Sequence, residues 1–132
     1  MNDKSWWKNL QPLRIQPGWS FLFNKLAALE PDNLSEDDPA WQFTLVQDIL
    51  YMKKENPKQT VAIDLGWYPE GDSHGAYRLV AVLDDDFLNP ILEFTSRSTQ
   101  EIVDTMEYWL FECIPYSTID EKSFRKLHPN KK

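Results

Sequence analysis

An α+β fold, an antiparallel β-sheet packed on one face by two amphipathic helices, is predicted by three observations. Val61, Ile63, Leu65 and Trp67 alternate with Ala62, Asp64 and Gly66, and Tyr77, Leu79, Ala81 and Leu83 recur at every second position, the two-residue period of a strand. Only the polar link 69–75 joins them, which is too short for a crossover between parallel strands and so implies an antiparallel hairpin. Two further stretches, 41–52 and 102–113, repeat apolar residues at helical spacing behind a capping signal.

The elements follow in order. Leu13-Arg14-Ile15 reads as a short extended piece before the turn signal Pro17-Gly18. Trp19, Phe21 and Phe23 share one face of a strand over 19–24, and residues 27–35, with Pro31 among them, form a loop. Asp38 then caps a helix whose first position is Pro39, where a missing N–H costs nothing. Trp41, Leu45, Ile49 and Met52 form its apolar stripe, widened by Val46 and Leu50, and Asn56-Pro57 stops it. Val61, Ile63, Leu65 and Trp67 mark the next strand's inner face, and Tyr77, Leu79, Ala81 and Leu83 that of its partner. A third strand, 91–96, follows the turn at Asn89-Pro90. Ser98 with Glu101 three residues on makes a capping box, and Ile102, Val103, Met106, Trp109, Leu110 and Cys113 form the helix's buried face. Pro115 bounds it. Residues 1–12 and 116–132 are expected to be loosely held ends, with Ile119, Phe124 and Leu127 able to dock.

At 132 residues the chain is one domain long, and 42% hydrophobic with 14% aromatic residues argues against disorder. A lone Cys113 excludes a disulfide framework and cysteine zinc sites. No run of 18 apolar residues occurs, and the opening residues lack the apolar stretch of a signal peptide. A soluble cytoplasmic protein without a cofactor is expected.

Charge is unevenly placed. Of 21 acidic residues, 20 lie between Glu30 and Glu121, against five bases there, while both ends of the chain are basic. An acidic surface repels phosphates and steers a basic partner inward, so the expected partner is a basic protein, with neither nucleic acid nor membrane. An ordinary acidic protein kept soluble by its charge shows the same composition.

Two carboxylates and a histidine lie close together in Glu70-Gly71-Asp72-Ser73-His74-Gly75. Such groups can hold a divalent metal, yet a solvated turn uses the same residue types, and with one histidine no metal site is expected. Asp64 and Arg78 are placed to form a cross-strand ion pair, on a face that Val80 and Val82 make partly apolar and open to docking. Asp84-Asp85-Asp86 ends a strand; it suits a solvated turn or a seat for Lys and Arg. Glu36-Asp37-Asp38 fits helix capping. Cys113, at core spacing, reads as a small apolar residue, and His128 has no partner nearby in the sequence. Trp6, Trp7, Tyr51, Tyr108 and Phe111 fall off the apolar stripes among acids, which suits a protein interface better than base stacking. Serine nucleophile elbows, phosphate-binding glycine loops and paired-histidine helices are absent.

The segments Leu13-Arg14-Ile15, Gly18-Trp19, Asp64-Leu65-Gly66-Trp67-Tyr68-Pro69-Glu70-Gly71-Asp72 and Ser96-Arg97-Ser98 resemble a small bacterial family. Its members are encoded beside polymorphic or contact-dependent toxins, where small acidic proteins act as immunity partners. The resemblance spans roughly residues 13–110, is most specific over Gly66–Asp72, and leaves out the basic tail. It implies an immunity protein that binds and neutralises a cognate basic toxin domain, a nuclease among the candidates because nucleases need bases to hold phosphates. It supplies no functional residues. Position alone marks Asp84, Asp85, Asp86, Glu70 and Asp72 as the partner-binding acids. The alternatives are a small metal-dependent hydrolase using Asp64, Asp72 and His74, and an acidic adaptor or DNA mimic.

Overall fold

The computed structural model describes residues 9–55 and 57–114. The expectations for Trp6, Trp7, Pro115, His128 and the basic tail lie outside them. Five strands form one antiparallel sheet in chain order: β1 (Ser20–Asn24), β2 (Leu50–Glu55), β3 (Thr60–Tyr68), β4 (Ala76–Leu83) and β5 (Leu92–Ser96). A four-residue turn of helix, α1 (Ala40–Phe43), precedes β2, and α2 (Thr99–Tyr108) follows β5 and runs on as a π-helical turn over Trp109–Cys113. No helix among the described residues is long and apolar enough to cross a membrane.

The central hairpin forms as expected, with Trp67 opposite Tyr77, Leu65 opposite Leu79 and Ile63 opposite Ala81. Those six side chains share one core with Ile102, Val103 and Met106 of α2 and with Trp109, Leu110 and Cys113 of the π-turn after it, all buried. Trp67 anchors the layer: Tyr77 meets it edge-on at 5.0 Å, Trp41 lies 5.8 Å away, and its indole N–H donates to the Asp72 carbonyl at 2.8 Å. Between sheet and helix, the Tyr77 hydroxyl shares a 2.8 Å hydrogen bond with Thr99, which satisfies both buried groups; burial pushes the phenol up to about 12.

The fold departs from expectation at the first helix. Helical structure ends at Phe43, and Leu50–Glu55 is a strand paired with Thr60–Leu65. Residues 49–52 satisfy both periods, because Leu50 and Met52 point inward while Tyr51 and Lys53 point outward. Pairing with β3 settles the choice, since a helix there would leave the hydrogen-bonding groups of β3 without a ladder on that side. One long helix therefore packs on the sheet, not two.

The N-terminal segment is tied down by backbone bonds from Gln11 to Leu26 and from Ala28 to Asn9, with Leu13 and Ile15 packed on the core. In β1 the register shifts between Phe21 and Phe23, leaving Phe21 exposed and Phe23 half-buried rather than both inside. Such bulges are common on edge strands, where they discourage further pairing. Ahead of α2, Ser98 accepts the Glu101 N–H at 3.1 Å, but the Glu101 carboxylate bonds Ser96 and does not complete the box. The Ser98 N–H goes instead to the Ser96 hydroxyl at 2.9 Å, and Glu30 caps the next two donors from far along the chain: its two oxygens accept the N–H groups of Thr99 and Gln100 at 2.8 and 2.9 Å.

Candidate partner-binding surface

None of the acids among the described residues is fully buried. They do not form one patch. In an antiparallel meander successive turns alternate between sheet ends, so the β3–β4 link carrying Glu70 and Asp72 lies opposite the β4–β5 link carrying Asp84, Asp85 and Asp86. A strand the length of β3 separates the two groups by about 25–30 Å.

Each group also has work inside the fold. The Asp84 carboxylate accepts the Thr60 N–H at 2.9 Å, and its own N–H donates to the Thr60 carbonyl at 2.8 Å. Asp84 and Asp85 adopt φ of 52° and 60°, a left-handed turn that Asp tolerates better than most residues. Asp85 accepts from the Tyr51 hydroxyl at 3.2 Å and pairs with Lys53 at 3.3 Å, while Asp86 accepts from the Asn89 amide. At the opposite end Glu70 accepts the Gln47 N–H at 2.7 Å. Asp72 accepts the His74 N–H at 2.8 Å and lies 3.5 Å from its ring. These bonds set the turn shape and leave most of the exposed carboxylates facing solvent.

The chain brings a further set of acids to Glu70. Glu36, Asp37 and Asp38 line an open cleft of about 460 Å³ with Glu70, Gly71 and Trp41. Asp38 caps α1, its carboxylate accepting the Ala40 N–H at 2.8 Å. Gly71, with φ 72°, brings its N–H to the Leu45 carbonyl at 2.9 Å and so closes the loop onto α1. This juxtaposition carried no local signal, because 34 residues separate Glu36 from Glu70 in the sequence.

The sheet face away from α2 differs from the docking face expected of it. Ala62, Val80 and Val82 are 0–2% exposed, with Tyr51 packed against them, so this apolar strip is not available for docking. Asp64 stands opposite Val80, not Arg78; Arg78 stands opposite Gly66 and pairs with Glu93 at 2.6 Å. Without a close cation, Asp64 is pushed up to about 6, by burial first and by the Asp48 charge second, with Arg78 only partly offsetting them. Asp64, Asp72 and His74 are not gathered: one lies mid-strand and two lie in the turn beyond its end. Among the described residues no three acids, histidines or cysteines stand together as metal ligands do.

The aromatic residues Tyr108 and Phe111, off the buried stripe of α2, are exposed beside Asp104, Glu107 and Glu112. Their spacing was visible in the sequence as a mixed acidic and aromatic helix face. Compared with protein-family models, with curated proteins and with solved structures, the chain matches none.

Proposed function

We propose that this chain is a protein-binding inhibitor of the immunity type, which captures a basic toxin domain and blocks it by occupancy. The observation that carries the reading is the placing of charge: the acids stay at the surface at both ends of one sheet while the core is apolar. Carboxylates held by the fold, as Asp84 is by the Thr60 N–H and Glu70 by the Gln47 N–H, are ordered before a partner arrives, so less side-chain freedom is lost on binding. Their summed potential speeds capture of a basic domain, which suits an inhibitor that must act on a scarce, lethal target. Asp84, Asp85 and Asp86 form one contact and Glu70 with Asp72 the other, the latter enlarged by Glu36, Asp37 and Asp38. One partner touching both would span the length of the sheet; a smaller one would use a single end.

Co-expression with a basic toxin domain of a contact-dependent system tests the reading. Growth should be restored, and a one-to-one complex should survive gel filtration at low salt. A chain that neither rescues growth nor forms that complex is not an immunity protein for that toxin.

A further inference from the structure

Arg14, Asp104, Glu107, Tyr108, Phe111 and Glu112 line an open cleft of about 430 Å³ on the outer side of α2. Carboxylates and aromatic rings share its walls, and Tyr108 and Phe111 remain 44% and 40% exposed. The backbone here is unusual. The Ile114 N–H donates to the Trp109 carbonyl at 2.7 Å, five residues back, which defines a π-turn. Such turns are rare and recur at functional sites, because the wider turn re-aims side chains that a regular helix would place elsewhere. Trp109, Leu110 and Cys113 stay buried while Phe111 and Glu112 face solvent.

The cleft already accepts a guanidinium. Arg14 donates through Nε and Nη2 to one Glu107 oxygen at 3.2 and 3.0 Å, and through its backbone N–H to the other at 3.1 Å. The Arg14 side chain is 81% exposed, so this pair contributes little to folding. Glu112 has no hydrogen bond or ion pair among the described residues, and Asp104 accepts only the Gln100 amide, at 2.8 Å. Among the described residues, carboxylate capacity at the cleft therefore exceeds the single base present.

We infer that this cleft seats an arginine-bearing segment of the basic partner, with the guanidinium on the Asp104 and Glu112 side and its flat face against Phe111. The inference rests on the reading of the chain as a binder of basic proteins, and names a surface for it. Arginine fits better than lysine because a planar cation can stack on a ring while its edge meets a carboxylate.

The full chain, labelled with ¹⁵N, is titrated with a blocked glycine–arginine alternating pentapeptide and with its lysine counterpart. Backbone shifts should move first at Tyr108, Phe111 and Glu112, and more for arginine than for lysine. Phe111→Ala and Glu112→Gln should each weaken binding about threefold to fivefold. Unaltered melting temperatures for Phe111→Ala and Glu112→Gln assign their losses to binding. Equal affinity for Phe111→Ala, or shifts confined to residues 70–72 or 84–86, would overturn the assignment of the cleft. Growth rescue by the wild-type chain separates the two ideas: rescue without shifts at the cleft sinks this surface alone, whereas failure of both rescue and complex formation sinks the binder reading.

Discussion

Asp64 is a carboxyl group whose neighbours favour its neutral form. Burial first and the Asp48 charge second raise its pKa from 3.8 to about 6, with Arg78 partly opposing them. Below the unfolded value the group is protonated in both states and costs nothing. Between 3.8 and about 6 the unfolded chain releases the proton and the folded chain keeps it, so stability falls as pH rises through that window. Asp64→Asn should therefore raise the melting temperature at pH 8 and change it little at pH 4; thermal melts at the two values measure the difference. An equal effect at both would show that Asp64 is solvated. At Gly66 the limit is space: a Cβ would stand 2.1 Å from the Gln47 carbonyl oxygen, where residues 46–47 cross the strand. Gly66→Ala should cost about 3 kcal/mol in chemical denaturation, because the obstacle is backbone and cannot swing aside. Trp109, 5% exposed against the sheet, should cost about 3–5 kcal/mol when truncated to Ala. A near-wild-type denaturation midpoint would place that ring outside the core.

At the scale of elements, α2 depends on a cap supplied 69 residues earlier. Glu30→Ala removes the acceptor for two N–H groups and should cost about 1–2 kcal/mol, with Glu30→Gln losing less because one oxygen remains. Parallel melts of the two variants decide it; no loss in either would mean that water replaces the carboxylate. The sequence could not show this cap, since Ser98 and Glu101 present a complete local signal that the fold uses only in half. The central hairpin was legible because Val61, Ile63, Leu65 and Trp67 alternate with smaller or polar residues, Tyr77–Leu83 is rich in strand formers, and their link is short. Strand β2 was not, because Ile49, Leu50 and Met52 fit helix and strand alike, and only a neighbouring strand distinguishes them. The buried face of α2 could be read residue by residue from its 3.6-residue period. The partner of Arg78 could not: a strand pattern gives the face but not the register, and the choice between Asp64 and Glu93 depends on register.

For the whole molecule, the two acidic ends can be tested apart. Asn keeps an acceptor oxygen and tolerates the positive φ of residues 84 and 85, so Asp84→Asn, Asp85→Asn and Asp86→Asn together should leave stability nearly unchanged. The same variant should bind the proposed basic partner more slowly and with a flatter salt dependence, as expected when steering charge is removed. Stopped-flow association at two ionic strengths measures both. An unchanged rate and salt slope would leave the opposite end, with Glu70 and Glu36–Asp38, as the steering surface. That two ends exist was deducible from the meander itself, whose turns alternate; which distant acids join each end was not.

The order of the strands also bears on how the chain is made. Every strand pairs with the one synthesised just before it, so the sheet can be laid down from β1 to β5 as the polypeptide leaves the ribosome, without waiting for a distant partner. Its apolar face stays uncovered until α2 emerges, and Glu30, made early, waits for Thr99 and Gln100 before its cap can close. Helper proteins that shield apolar surface would therefore have their target in the interval between completion of β5 and arrival of the helix. A nascent chain stalled within that interval should be the most sticky and the most readily cut by protease.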